Sequence, residues 1–348
     1  MLQQVTITSN KCFVFQEYQK LLGMDDLVLS ITPDDVPDAW GFYRKEKSNT
    51  LFIIEGSVEE YTLSMDCMAS YDDYCLFPYL VDTLSTYLSD ESYAEDGVGA
   101  FKLFDEEWRK DTIGEEIAYL KCMLSVGVKY YIELPITEDF PYISESVLHN
   151  FGVSIHSSTP RIYGYVNYML RYGLLPTDDE RDEVELDDVY VDVPQHESIG
   201  IVHSWQTDGA VTTESYSQED VELLIELGNE YKQGKHIEGV VLNDIGTIYE
   251  NGIGSEHNAE LAVFWYKEAM KQGDRIYAPT SLGDIYRRGL DTIKPDLNLA
   301  LEAYRQSDDP YAWYRIGQSY EEGWTGETDM EQAMKWYHKA AAVGHHLA

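Results

Sequence analysis

The chain has 348 residues, 44% of them hydrophobic, and a formal net charge of −38. That length allows two domains with ordinary cores and excludes a disordered chain. The charge excludes a direct nucleic-acid or anionic-membrane surface, because both need cationic groups to replace counterions. Residues 217–348 hold 23 acidic and 12 basic side chains, a net of −11, which leaves −27 on residues 1–216. A body so anionic attracts a basic partner, as well as keeping the chain soluble.

From the start, Gln4–Thr8 alternates and is β-branched, the pattern of a strand. Phe13–Leu22 predicts a short helix and Asp26–Ile31 a second strand, followed by a proline- and carboxylate-rich loop over 32–38. Trp40–Arg44 and Thr50–Glu55 predict a hairpin, and Tyr61–Met65 a further strand. The period then changes. Over Asp72–Leu88 a helical stripe runs through Cys75, Tyr79, Leu80, Thr83, Leu84, Tyr87 and Leu88, with Pro78 expected to mark the first turn. Gly99–Phe104 predicts a short strand. Asp105–Val126 predicts a long helix with Ile113, Ile117, Leu120, Met123 and Leu124 on its apolar face and Gly127 at its end. Lys129–Leu134 predicts one more strand. The sum over residues 1–175 is an acidic α+β domain of no recognised family.

Residues 176–216 are expected to be an acidic linker or edge ribbon, with nine carboxylates and Arg181 between Asp178 and Asp192. Ser198–Trp205 predicts a last strand. Ser217 stands where an N-cap should, ahead of Glu219 and Asp220.

From there one pattern returns four times: Gly, two residues, Tyr, two residues, Gly. It occurs at Gly228-Tyr231-Gly234, Gly246-Tyr249-Gly252, Gly283-Tyr286-Gly289 and Gly317-Tyr320-Gly323. The last three begin 37 and 34 residues apart, a period of helix-pair solenoids. A second block follows each full unit: Ala262-x-x-Trp265-Tyr266-x-x-Ala269, Ala300-x-x-Ala303-Tyr304 and Ala333-x-x-Trp336-Tyr337-x-x-Ala340. Its alanines and aromatics share one helical face. The first Gly of each pattern is expected to let two helices approach, with a Tyr or Trp of the partner helix filling the space above it. The second Gly should end its helix.

These residues, with Gly273 and Gly344, resemble the Sel-one-like repeat family, relatives of the tetratricopeptide repeats. The predicted architecture is a leading helix at 217–234 and units at about 240–276, 277–309 and 310–348. In unit two Ala303 replaces Trp and Arg305–Pro310 replaces an Ala-rich end, so its second helix is expected to be short. The overall fold class is an α+β domain followed by an all-α solenoid. The resemblance implies assembly of complexes rather than catalysis.

Catalytic signals are weak. There is no Gly-x-Ser-x-Gly, phosphate loop or His-Glu-x-x-His. The adjacent pairs Asp25-Asp26, Asp34-Asp35, Asp72-Asp73 and Asp187-Asp188 are read as solvated loop residues, and His149 and His156 as structural. Cys12, Cys67, Cys75 and Cys122 lack metal spacing and are expected to be buried free thiols of a reducing compartment. No signal peptide or spanning run is apparent in residues 1–348, so a cytoplasmic, bacterial-type protein without cofactor or metal is expected. Helix-pair solenoids present the first helix of each unit on a concave face. The candidate partner contacts there are Asn243, Asp244 and Thr247, then Ser281, Asp284 and Arg287, then Tyr314, Arg315 and Gln318. Trp336 and Tyr337 close the last unit; either another chain covers them, which predicts a homodimer or a partner at that end, or the last helix is amphipathic enough to stand alone. Two functions are therefore expected: a protein-interaction adaptor or, as an alternative, an acidic immunity or inhibitor protein covering a basic toxin or nucleic-acid enzyme.

Overall fold

The computed structural model describes residues 3–45, 50–65, 68–89, 100–132, 140–179 and 216–343. They form two compact units, Met1–Val147 with Ile162–Gly200, and Leu148–Arg161 with Ile201–Ala348. Leu148–Arg161 groups with the repeats.

In the first unit, β1 (Gln3–Thr8), β2 (Leu27–Ile31), β3 (Ala39–Arg44), β4 (Phe52–Ser57) and β5 (Glu60–Met65) form an antiparallel sheet in the order β1-β5-β4-β3-β2. Alternation sends Val5 and Ile7, Phe52 and Ile54, and Leu63 and Met65 into the core. Between β1 and β2 lies α1 (Phe15–Leu22), which packs against α2 (Tyr71–Ser89); the Tyr18 hydroxyl donates to the Leu80 carbonyl at 2.7 Å.

Pro78 lies inside α2, not in its first turn. The helix starts earlier because Ser70 and Asp73 hydrogen-bond each other reciprocally before it: Ser70 Oγ donates to Asp73 Oδ2 at 2.6 Å and the Asp73 amide donates back at 3.2 Å. The buried stripe differs in part. Leu80, Leu84, Tyr87 and Leu88 are buried as expected and Tyr74, Phe77 and Val81 join them, whereas Cys75 is exposed and Tyr79 is 37% exposed. Stacking of Phe77 on Trp108, 6.0 Å between centroids, selects that side of an apolar helix.

The expected strand at 99–104 is one helical turn, α3 (Ala100–Leu103), whose following Phe104 packs edge-on against Phe77 and Trp108. A six-residue stretch, Gly99–Phe104, is too short for periodicity to distinguish these states, and the aromatic cluster decides. The next helix, α4 (Glu106–Ser125), is capped by Asp105 and buries all five expected apolar residues. Of the next expected strand, Tyr130–Tyr131 pairs as β6 in a small sheet with β7 (Phe140–Ile143) and β8 (Thr177–Asp178), and residues 133 and 134 lie outside the described residues. Periodicity did not assign α5 (Glu145–Asn150) or α6 (Thr159–Tyr172), each of which contains a division between the units. The expected strand at 198–205 and most of the acidic ribbon lie outside the described residues.

The second unit carries α7 (Gln218–Lys232), α8 (Gly239–Asn251), α9 (Ala259–Lys271), α10 (Tyr277–Arg288), α11 (Leu297–Tyr304), α12 (Pro310–Glu322) and α13 (Met330–Ala341). Ser217 and Asp220 form the expected cap as a full capping box. The short second helix of unit two is α11, eight residues against 13 in α9 and 12 in α13.

The first-helix face of the repeats

Each unit is closed by the contact its glycine allows. A Cβ on Gly246, Gly283 or Gly317 would meet the ring of Tyr266, Tyr304 or Tyr337 at 2.5–2.6 Å, and one on Gly228 would meet Trp265 at 3.2 Å. The expected close approach is therefore present at all four glycines. The ring that seats on the glycine then turns its hydroxyl to a carboxylate on the first helix. Tyr266 donates to Glu250, Tyr304 to Asp284 and Tyr337 to Glu321, each at 2.5 Å. Glu250 and Glu321 both stand four residues after the packing glycine. In unit two that position is Arg287, so Asp284, one residue after Gly283, takes the role. Burial raises the Glu250 pKa. Burial, followed by the neighbouring carboxylate, raises those of Tyr304 and Tyr337. These tyrosines stay neutral donors.

The nine expected contact residues fall into two groups. Asn243, Asp244 and Thr247 are buried, at 5%, 2% and 5% exposure. Asp244 accepts from Arg161 Nη1 at 2.7 Å, and Thr247 shares a hydrogen bond with Tyr266. The other six are half-buried and form a polar ladder. Ser281 stands half-buried on α10, two residues before Gly283. Asp284 accepts from Tyr304, from Arg287 Nη2 at 3.2 Å and from the Tyr311 hydroxyl at 3.1 Å. Arg315 donates to the same hydroxyl through Nε (2.8 Å) and Nη2 (2.7 Å), and through Nη1 to Gln318 at 2.8 Å. Gln318 in turn donates to Glu322, and Tyr314 packs against Tyr337. Burial works against the Arg287 cation, but Tyr304, Asp284 and Tyr311 outweigh it and hold its pKa above the usual value. Sequence reasoning missed Tyr311, which joins α10 to α12, and Arg161, whose partners are 59 and 83 residues away. The ladder offers oriented donors, acceptors and aromatic edges to a protein surface, and no nucleophile paired with a base.

Elsewhere, Asp73 is buried, not solvated; it is bonded to Thr50 and Ser70 and lies 3.7 Å from Arg44. His149 and His156 are exposed and hold no core together. Cys12 and Cys75 are exposed and Cys122 half-buried, free thiols on the surface rather than in the core. Cys67, Asp187, Asp188, His345 and His346 lie outside the described residues. Among the described residues no His, Cys, Asp and Glu group is arranged to hold a metal, and no helix is long and apolar enough to cross a membrane.

A family model described as Sel1 repeat matches residues 241–274, 280–307 and 310–345. Residues 241–345 are Sel1 repeats. Proteins with Sel1 repeats generally use them in protein–protein interaction. Similar solved structures include a Sel1 repeat protein from Oxalobacter formigenes, with 24% identity over 38% of this chain and 51% of that one, at a TM-score of 0.33. Another is a protective antigen of uropathogenic Escherichia coli strains displaying an SLR fold, with 22% identity over 38% of this chain and 35% of that one, at a TM-score of 0.21. The chain thus spans about half of the first protein's length and about a third of the second's. No curated protein matches.

Proposed function

We propose that this chain is an adaptor without chemistry of its own, which binds another protein through the first-helix face of its Sel1 repeats. The observation that carries the reading is the ladder on α10 and α12. Asp284, Arg287, Arg315 and Gln318 are held there by hydrogen bonds yet half-open, so partner contacts cost little ordering. The expected contacts in unit one are not part of the proposal, because this chain already covers them. The charge of −27 on residues 1–216 supports a strongly basic partner. Capture from the native cells by the intact protein, eluted with rising salt, tests this. A partner lost when Arg315→Glu and Ser281→Lys are introduced supports the adaptor. A single basic protein that elutes only at high salt and ignores those changes supports the inhibitor reading instead.

Self-association through α13 is a second part of the proposal. Met330 and Met334 are 56% and 45% exposed there, whereas Ala259 and Val263, their counterparts on α9, are 1% and 9% exposed. Sedimentation of wild type against Met334→Glu decides it, and an unchanged monomer refutes it.

A further inference from the structure

Arg161 is 3% exposed, and its guanidinium meets two carboxylates, a carbonyl and an aromatic ring. Nη1 donates to Asp244 on α8, Nε lies 3.6 Å from Asp220 on α7, Nη2 donates to the Gly152 carbonyl at 2.9 Å, and the plane covers the Tyr216 ring at 4.3 Å. Ser157 of the same segment donates to the second oxygen of Asp220. Gly152 lies against Leu224 and Leu227 of α7 so closely that a Cβ would meet Leu224 at 2.6 Å. Leu148–Arg161 therefore sits on the second unit as a ligand would, with a charged anchor, a polar side contact and an apolar footing. All these contacts are within that unit.

The chemistry of the site selects a guanidinium. Two buried carboxylates need a cation between them. A lysine is one point charge with three donors, whereas here separate edges of one planar group meet Asp244, Asp220 and a carbonyl while its face covers an aromatic ring. Asp244, which Arg161 of this segment covers, has its register counterparts at Ser281 and Arg315, and both are half-open.

We propose that α7 and α8 form an arginine-reading site, that Leu148–Arg161 is its built-in occupant, and that a partner enters the first repeat by presenting an arginine-bearing segment in exchange. The partner clause rests on the adaptor reading; the site and its occupant do not. A tethered segment has an effective concentration of about millimolar, so exchange needs a competing segment with the same anchor.

The test uses the full chain and a labelled peptide of residues 148–161. Arg161→Met weakens the tethered occupant and leaves the carboxylates in place. Loss of one member of a buried pair corresponds to a roughly 100-fold or larger change in the competition. The peptide is therefore expected to bind Arg161→Met about 100-fold more tightly than wild type, and adding Asp244→Asn is expected to abolish the gain. Equal binding to wild type and Arg161→Met, or a gain that survives Asp244→Asn, overturns the proposal. If Arg161→Met fails to fold, Arg161→Lys replaces it with the same outcomes. Wild type gives an independent reading. Millimolar peptide is expected to speed amide exchange at Val153 and Ser157, whose amides are hydrogen-bonded within the seated segment. Unchanged exchange makes the segment permanent core and refutes exchange. Neither experiment uses a cellular partner, so a failed capture on units two and three and a failed exchange here remain separate results.

Discussion

Gly246→Ala places a methyl group where the Tyr266 ring already sits. The Cβ would be 2.6 Å from two ring carbons and 3.1 Å from a third. Tyr266 is fully buried and its hydroxyl is bonded to Glu250 at 2.5 Å, so the ring cannot swing aside. Two effects oppose each other. Alanine is favoured over glycine inside a helix by about 0.8–1.0 kcal/mol. Over-packing a close-packed site costs about 1–3 kcal/mol. With backbone on one side and a tethered ring on the other, the upper half of that range applies, and the net is a loss of about 1–2 kcal/mol. At about 2–4 °C per kcal/mol for a unit of this size, thermal unfolding monitored by circular dichroism should fall by roughly 2–8 °C. In a Tyr266→Leu background the same substitution should cost less, because the rigid ring is gone; the difference is the coupling between the two residues. A Gly246→Ala protein as stable as wild type, or more so, refutes the packing account of the repeats.

Trp265→Ala should cost roughly 3–5 kcal/mol, since the side chain is 2% exposed, while Trp265→Phe should cost much less because the indole N–H is buried without an acceptor among the described residues; chemical denaturation of the two variants measures the contrast. Tyr249, which is half-buried, should tolerate alanine better than Trp265 does in the same assay. Burial raises the Glu116 pKa to about 7, against the hydrogen bonds from Tyr74 and Met68. A raised carboxyl favours the fold below its unfolded pKa and loses that contribution as pH rises through about 7, so Glu116→Gln should remove a loss of roughly 3 kcal/mol between pH 4.5 and 8; an unaltered stability–pH curve contradicts this. Ser217→Ala breaks the capping box and should cost about 0.5–2 kcal/mol, read as a lower denaturation midpoint.

Features set by local chemistry were legible. The glycine, tyrosine and alanine spacing located every helix of the repeats, because each unit repeats one packing solution. Alternation located the first five strands, since one face of the sheet is buried. Features set by distant contacts were not legible. The Phe77–Trp108 stack extended the buried face of α2, and an aromatic cluster made 100–103 helical. Arg161 was invisible for the same reason: nothing near it in sequence shows that Asp220 and Asp244 converge on it. On the first-helix face, helical spacing grouped residues of α8, α10 and α12 but did not show which of them this chain itself covers. Asp244 and Thr247 have the same register as half-open residues of units two and three, and contacts with Arg161 and Tyr266 separate them.

The central claim is that a partner lies on the first helices of units two and three. A photo-crosslinking residue placed at Tyr314 or Gln318, both half-buried on α12, tests it most directly, with Leu299, 40% exposed on α11, as the control. Illumination in the native cells should join the same partner to positions 314 and 318 and leave position 299 free. Adducts at 299 alone, or at none of the three while the intact protein still captures a partner, would contradict the account.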